Sequence, residues 1–200
     1  MSVIFENSNT KTNLMKAFAG ESQARTRYTF AASQAKKDGL EFIEKAFTFT
    51  ADQEKEHAEL FYKHLHKYIK PTSCMNINIE GGYPFDLYDN SLDMLKCARH
   101  NEYEEYKHIY KSFGDEAKSE GFEEIANLFY EISEIEKIHG DRFGKFIELI
   151  ESDNLFKSDK DEAWFCLNCG HIHVGKFAPN ECPVCKHGIG YQIRHNWILL

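Results

Sequence analysis

Glu54-Lys55-Glu56-His57 and Glu136-Lys137-Ile138-His139 share one frame, a glutamate followed three residues later by a histidine. On a helix, an i, i+3 spacing projects both side chains from nearly one face, so each pair offers a carboxylate and an imidazole to a common point. Around Glu54 the apolar residues Ile43, Phe47, Ala51, Phe61, Leu65 and Tyr68 recur at helical spacing from Leu40 to about Ile69, and Pro71 ends the pattern. Around Glu136 the same holds for Ile125, Phe129, Ile132, Phe143, Phe146 and Ile150, from about Phe122 to Ile150. Both acids therefore fall on the stripe that faces a core.

Two further helices repeat the anomaly. Residues Asn13 to Lys37 carry Leu14, Phe18, Tyr28, Ala31 and Ala35 with Glu21 among them, and about Asn90 to Ser112 carry Leu92, Leu95, Ile109 and Phe113 with Glu102 among them. Glu21 lies 33 residues before Glu54 and Glu102 lies 34 before Glu136, so two helical hairpins bear the same motif. Residues 70 to 89, with Pro71, Gly81, Gly82 and Pro84, show no period. So long a connection inside a compact domain suits a crossover along a bundle. The expectation is a mainly α chain, a ferritin-like four-helix bundle with a long connection between its second and third helices.

Four buried carboxylates cost several kcal/mol each, or protonate, unless cations meet them. Glutamate with histidine favours first-row metals such as iron or manganese. One Glu from each of two helices and Glu-x-x-His from the other two is the pattern of two-metal carboxylate bundles. Glu105 and His108 form a third copy of the motif, but His108 lies two i+3 steps from Glu102, too far around the helix to converge with it. His108 is read as solvated or packed, and the local pattern leaves Glu105 undecided. Glu56, Glu59, Glu131 and Glu134 read as surface charge.

Beyond the bundle, Cys166-Leu167-Asn168-Cys169 and Cys182-Pro183-Val184-Cys185 stand twelve residues apart among turn residues. Four thiolates fit iron or zinc, and spacing alone does not choose between a redox site and a zinc ribbon. A redox centre beside a two-metal bundle has a use, which favours iron, with zinc able to replace it. The expected division is 1–150 bundle, 151–162 polar linker and 163–200 four-cysteine module, with Trp164, Phe165, Tyr191 and Trp197 as the module's core. Cys74 and Cys97 read as free thiols serving as small apolar residues.

A formal net charge of −8 and no basic stripe argue against nucleic acid and anionic membranes as partners. No run approaches a membrane span and the first residues carry no signal-peptide pattern, so a cytoplasmic protein is expected.

The residues resemble the rubrerythrin family, ferritin-like non-haem iron proteins with a C-terminal rubredoxin-like domain. The likeness rests on Gly20-Glu21-Ser22-Gln23-Ala24-Arg25 with Tyr28, Glu54-Lys55-Glu56-His57, Glu102-Tyr103-Glu104-Glu105, Glu136-Lys137-Ile138-His139 with Arg142-Phe143, and the cysteine module. Arg99-His100-Asn101 departs from the small residues usual before the third-helix glutamate.

The resemblance implies two non-haem irons in the bundle and one at Cys166, Cys169, Cys182 and Cys185. Glu54 and Glu136 would bridge the pair, with Glu21 completing the site near His57 and Glu102 the site near His139. Glu105 would exchange with His57 as ligand on oxidation, and Tyr28 and Tyr110 would hydrogen-bond near the carboxylates. It further implies reduction of hydrogen peroxide to water in oxidative-stress defence, within a homodimer or higher homo-oligomer. Electrons would come from an external rubredoxin or NAD(P)H-dependent reductase, a separate protein because no Gly-rich dinucleotide fingerprint occurs here. The competing reading is a ferritin-like ferroxidase or iron-storage protein with a structural zinc ribbon.

Overall fold

The computed structural model describes residues 3–86 and 89–197, with the side chain of Trp197 outside that description, as is its expected place in the module core. Helix α1 spans Asn9–Lys37, starting four residues before the expected Asn13, because Ser8 Oγ accepts from the Lys11 amide (3.0 Å) and caps it. It turns through Gly39 at φ 71 into α2, Glu41–Ile69. The third helix is interrupted: α3 spans Ser91–Glu104, a π-helical turn covers Glu105–Ile109, and α4 runs over Tyr110–Ser119. It thus continues past Ser112, where the sequence reading ended it. A turn through Gly121 at φ 90 leads into α5, Glu123–Glu151.

The two hairpins close identically. Leu40 N–H bonds to Ala35 O and Gly39 N–H to Lys36 O; Phe122 N–H bonds to Ala117 O and Gly121 N–H to Lys118 O. A left-handed residue at each helix end satisfies carbonyls that would otherwise be orphaned, and glycine adopts that conformation without strain.

Residues 70–86 and 89–90 follow the course of the expected crossover. Lys16 O accepts from Tyr83 Oη (3.3 Å), Gln23 Nε2 donates to Pro84 O (2.7 Å), Arg27 pairs with Asp86 (3.2 Å), and Gln34 Nε2 donates to Asp89 O (3.1 Å). Positions 16, 23, 27 and 34 lie on one face of α1, so the strap follows that face from end to end. Asp38 then accepts from the Ser91 amide (2.8 Å), which fixes α3 to start where α1 stops, so that it runs back antiparallel to α1.

Two apolar clusters fill the bundle. One gathers Tyr28, Phe47, Leu95, Phe143 and Phe146, the other Leu14, Phe61, Tyr110, Phe129 and Ile132. On all four helices the glutamate of interest lies between a residue of the first cluster and one of the second, so the carboxylates form a polar layer across the middle.

The segment expected to be linker is strand from Lys157 onward. β1 (Lys157–Cys166) pairs antiparallel with β2 (Ile172–Phe177) and with β3 (Gln192–Arg194), in the order β2-β1-β3. Trp164 is fully buried and donates to Gly175 O (2.8 Å). Tyr191 is half-buried and sits beside Glu41 of α2, so it serves the contact with the bundle more than the module's interior.

At that contact a Cβ on Gly190 would stand 1.7 Å from Gly39 O, a backbone atom. Gly190→Ala is expected to part the module from the α1–α2 turn at a cost of about 1–3 kcal/mol, as overpacking does. Faster proteolysis within residues 152–156 reports it; an unchanged cleavage rate contradicts it.

Candidate metal centre

The bundle brings Glu21, Glu54, His57, Glu102, Glu136 and His139 into one layer, and all six are buried. Ligand atoms of Glu21, Glu54, His57 and Glu136 lie within 4.8 Å of one another, as do those of Glu54, Glu102, Glu136 and His139. Glu54 and Glu136 belong to both sets, and their oxygens divide between the two. His57 Nδ1 stands 3.0 Å from Glu54 Oε2 and 3.0 Å from Glu136 Oε1. His139 Nδ1 stands 3.0 Å from Glu54 Oε1 and 2.8 Å from Glu136 Oε2. The imidazole rings face each other, 5.6 Å apart with planes 17° from parallel.

This layer fits a pair of cations. Both oxygens of Glu54 and of Glu136, one oxygen each of Glu21 and Glu102, and Nδ1 of both histidines are buried without a well-directed hydrogen bond. So many orphaned donor atoms in a core are costly unless an ion collects them. Burial, reinforced by neighbouring carboxylates, raises the pKa of Glu21, Glu102 and Glu105 well above the carboxylate range. Burial opposes charge on His57 too, but the close Glu136 and Glu54 carboxylates outweigh it and lift the imidazole to about 10. Glu136 is also penalised by burial, yet the two histidines hold it down to about 2. Each terminal acid has a tyrosine donor: Tyr110 Oη donates to Glu21 Oε1 and Tyr28 Oη to Glu102 Oε1. Both tyrosines are buried, and burial with the facing acids raises their pKa, keeping them as donors.

Glu105 is in neither donor set. It opens the π-turn, is half-buried, and lines a cavity of about 720 Å³ that also borders Tyr110. A π-turn adds one residue to the helix, which rotates every later position by about 100° around the axis. Tyr110 N–H accordingly bonds to Glu105 O, five residues back, and Ser133 Oγ donates to Tyr106 O (2.9 Å). Ile109, expected on the apolar stripe, is 38% exposed for this reason. His108 is exposed, in line with its reading as a solvated residue.

One charged neighbour, Arg142, belongs to the sequence likeness, which assigns it no role at the site. Arg142, one helical turn after His139, donates to Thr50 Oγ1 (2.8 Å) and lies over the Phe49 ring (5.1 Å); burial lowers its pKa, and the nearby Glu102 and Glu54 carboxylates partly oppose that. Its signal was the i+3 step from a ligand-type histidine. Arg99, whose neighbourhood departs from the family pattern, stacks over Tyr103, and Asn101 donates to Asp86 of the strap (2.9 Å).

In the module, Cys166 Sγ lies 3.6 Å from Cys185 Sγ and Cys169 Sγ 3.6 Å from Cys182 Sγ. These separations are far beyond a disulfide and match the edge of a tetrahedron with metal–sulfur bonds of about 2.3 Å. The two knuckles repeat one another. Gly170 N–H bonds to Cys166 O and Lys186 N–H to Cys182 O, with both residues left-handed at φ 76 and 64. The His187 amide donates toward Cys185 and brings that thiol down to about 5. The His171 amide donates toward Cys169, but burial and the neighbouring cysteines push that thiol up to about 12. The sulfur set fits iron or zinc equally.

Among the described residues no helix is long and apolar enough to cross a membrane. A family model described as Rubrerythrin matches residues 12–147, and one described as Rubrerythrin, rubredoxin-like domain, matches 164–191. The chain is 43% identical over 184 residues to Rubrerythrin of Clostridium perfringens (strain 13 / Type A), covering 92% of this chain and 93% of that one. It is 38% identical over 191 residues to Rubrerythrin of Porphyromonas gingivalis (strain ATCC BAA-308 / W83), covering 96% and 92%. The structure resembles that of nigerythrin in its mixed-valent state, with a TM-score of 0.62 at 26% identity, covering 98% of this chain and 88% of the other.

Proposed function

The chain belongs to the rubrerythrin family, and on that premise we propose that it reduces hydrogen peroxide to water with electrons received through its four-cysteine module. The two donor sets would hold a pair of ferrous ions able to supply the two electrons, and the four thiolates would hold a single iron able to pass electrons one at a time. The observation that carries the reading is the position of Glu105: a carboxylate outside both donor sets, on a cavity wall shared with Tyr110, whose hydroxyl donates to Glu21 of the set that contains His57.

His57 and Glu105 would serve as alternative ligands to the same metal. A neutral imidazole suits the lower charge and an added carboxylate offsets the higher one, so the exchange follows oxidation state. Tyr110 and Tyr28 keep Glu21 and Glu102 oriented as hydrogen-bond donors, and Arg142 lends a positive charge to the Glu54 and Glu102 side. The exposed Cys169 gives the module a face toward an external donor, a rubredoxin or an NAD(P)H-dependent reductase. A cytoplasmic homodimer completes the reading.

Stopped-flow mixing of the fully reduced protein with peroxide and, separately, with oxygen tests it. Peroxide is expected to oxidise the bundle irons faster by about tenfold or more; an equal rate favours a ferroxidase and removes the peroxidase reading. Glu105→Ala is expected to keep both bundle metals and lose about 100-fold or more in peroxide turnover, a loss of about 2.7 kcal/mol in barrier lowering. An unchanged rate would sink the ligand exchange. Iron in the module is tested by colour, since a ferric tetrathiolate absorbs in the visible and bleaches on reduction, and zinc does neither.

A further inference from the structure

The cavity beside Glu105 is far larger than hydrogen peroxide needs. It encloses about 720 Å³, whereas a water molecule's share of liquid volume is about 30 Å³ and hydrogen peroxide is only one oxygen larger. Pockets of about 300–1,000 Å³ are those that hold organic ligands. Its lining is mixed: Ala17, Tyr83, Pro84, Ile109 and Phe113 form an apolar wall, and Lys16, Glu104 and His108 are among the polar residues that complete it.

Two features of the fold create this space. The π-turn carries Ile109 out of the core and leaves it 38% exposed at the cavity edge, an apolar side chain with little of the protein to bury it. On the opposite wall Tyr83 faces Gly20, where a Cβ would stand 3.8 Å from the ring, so the absent side chain leaves the floor open. The strap is held across that wall by Tyr83 Oη to Lys16 O and by Gln23 Nε2 to Pro84 O. Asp86 engages Arg27 and Asn101, so those two polar side chains are already committed.

We propose that this cavity is a substrate site for organic hydroperoxides, with the apolar group held against Ile109, Phe113, Tyr83 and Pro84 and the O–O bond turned toward Glu105 and Tyr110. The inference rests on the peroxide-reducing reading above and names a further substrate class for the same site. The conversion takes two electrons and two protons. The O–O bond breaks, one oxygen leaves as water, and the other stays on carbon as an alcohol. Reduced iron in the bundle, replenished through the module by the external reductase, is the electron source, as it is for hydrogen peroxide.

The test compares cumene hydroperoxide with hydrogen peroxide on the iron-loaded full chain. Cumene hydroperoxide is expected to show a kcat/KM within about tenfold of that for hydrogen peroxide. Ile109→Trp, and independently Ser112→Trp from an exposed position at the mouth, are expected to lower the ratio of the two kcat/KM values by about tenfold or more. A readout free of turnover uses the full chain loaded with redox-inactive zinc: cumyl alcohol, the product, is expected to bind at one site by calorimetry and to lose that site in both variants. If hydrogen peroxide is reduced normally while cumene hydroperoxide is slower by more than about 1,000-fold, the proposal is overturned and the peroxidase reading stands. Cumyl alcohol failing to bind, or a ratio that neither tryptophan moves, also overturns it. If neither peroxide is reduced, both readings fall together.

Discussion

Glu54→Ala is expected to empty both bundle sites at once while leaving the metal-free chain no less stable than the parent. Glu54 puts Oε1 beside His139 and Oε2 beside His57, each at 3.0 Å, so no other residue replaces it in either donor set. Glu21 and Glu102 each belong to one set, and their alanine variants are expected to lose one ion. The metal-free effect has the opposite origin. The Glu54 charge adds to burial in raising the pKa of Glu21, Glu102 and Glu105, so deleting it relieves repulsion in a buried layer and offsets the loss of its attraction to His57 and His139. Binding stabilises the folded state by about 4 kcal/mol for each site filled at 1,000 times its dissociation constant. Anaerobic melting with and without ferrous iron, with metal analysis of the same samples, separates the two effects. The variant's melting temperature is expected to lose its dependence on iron. Retention of one tightly held ion would contradict the shared role of Glu54.

Cys182→Ser is expected to unfold the module and spare the bundle. Cys166 and Cys182 are fully buried, and the small three-stranded sheet has little apolar interior beyond Trp164. A unit of this size cannot bury enough surface to fold unaided. Its stability comes from the ion, and metal binding by thiolates in such small domains is worth about 10–16 kcal/mol near neutral pH. Serine supplies no thiolate, so the ion is lost and Trp164, now fully buried, meets water. A red shift in tryptophan emission with an unchanged helical circular dichroism signal is the expected result. The bundle survives because its two apolar clusters draw on the helices, joined at their margin by Leu155. Emission and module metal content identical to the parent would show that the metal does not hold the module together.

The glutamates, histidines and cysteines that converge were legible because their signals are local. An i, i+3 pair on a helix and two Cys-x-x-Cys knuckles place their side chains by backbone geometry alone. The interruption of the third helix also left a trace in the sequence. Counting back from the turn glycines, Tyr28 precedes Gly39 by eleven residues and Tyr110 precedes Gly121 by eleven, while Glu54 and Glu136 each lie fifteen residues beyond their glycine. Glu21 to Tyr28 is seven residues but Glu102 to Tyr110 is eight. The one-residue difference between the hairpins therefore falls between Glu102 and Tyr110, where the π-turn lies. A core position for Ile109 requires an unbroken α-helix, and the extra residue rotates it out.

The sequence by itself determined which helices form, where three of the four stop, and which glutamate each one presents at the polar layer, since periodicity, capping and turn glycines act over a few residues. Tertiary structure decided how the oxygens of Glu54 and Glu136 divide between His57 and His139, which tyrosine serves which acid, and that Glu105 faces a cavity outside both donor sets. Those relations depend on helix packing and on a single inserted residue worth about 100° of rotation, and neither is expressed in the spacing of any one helix.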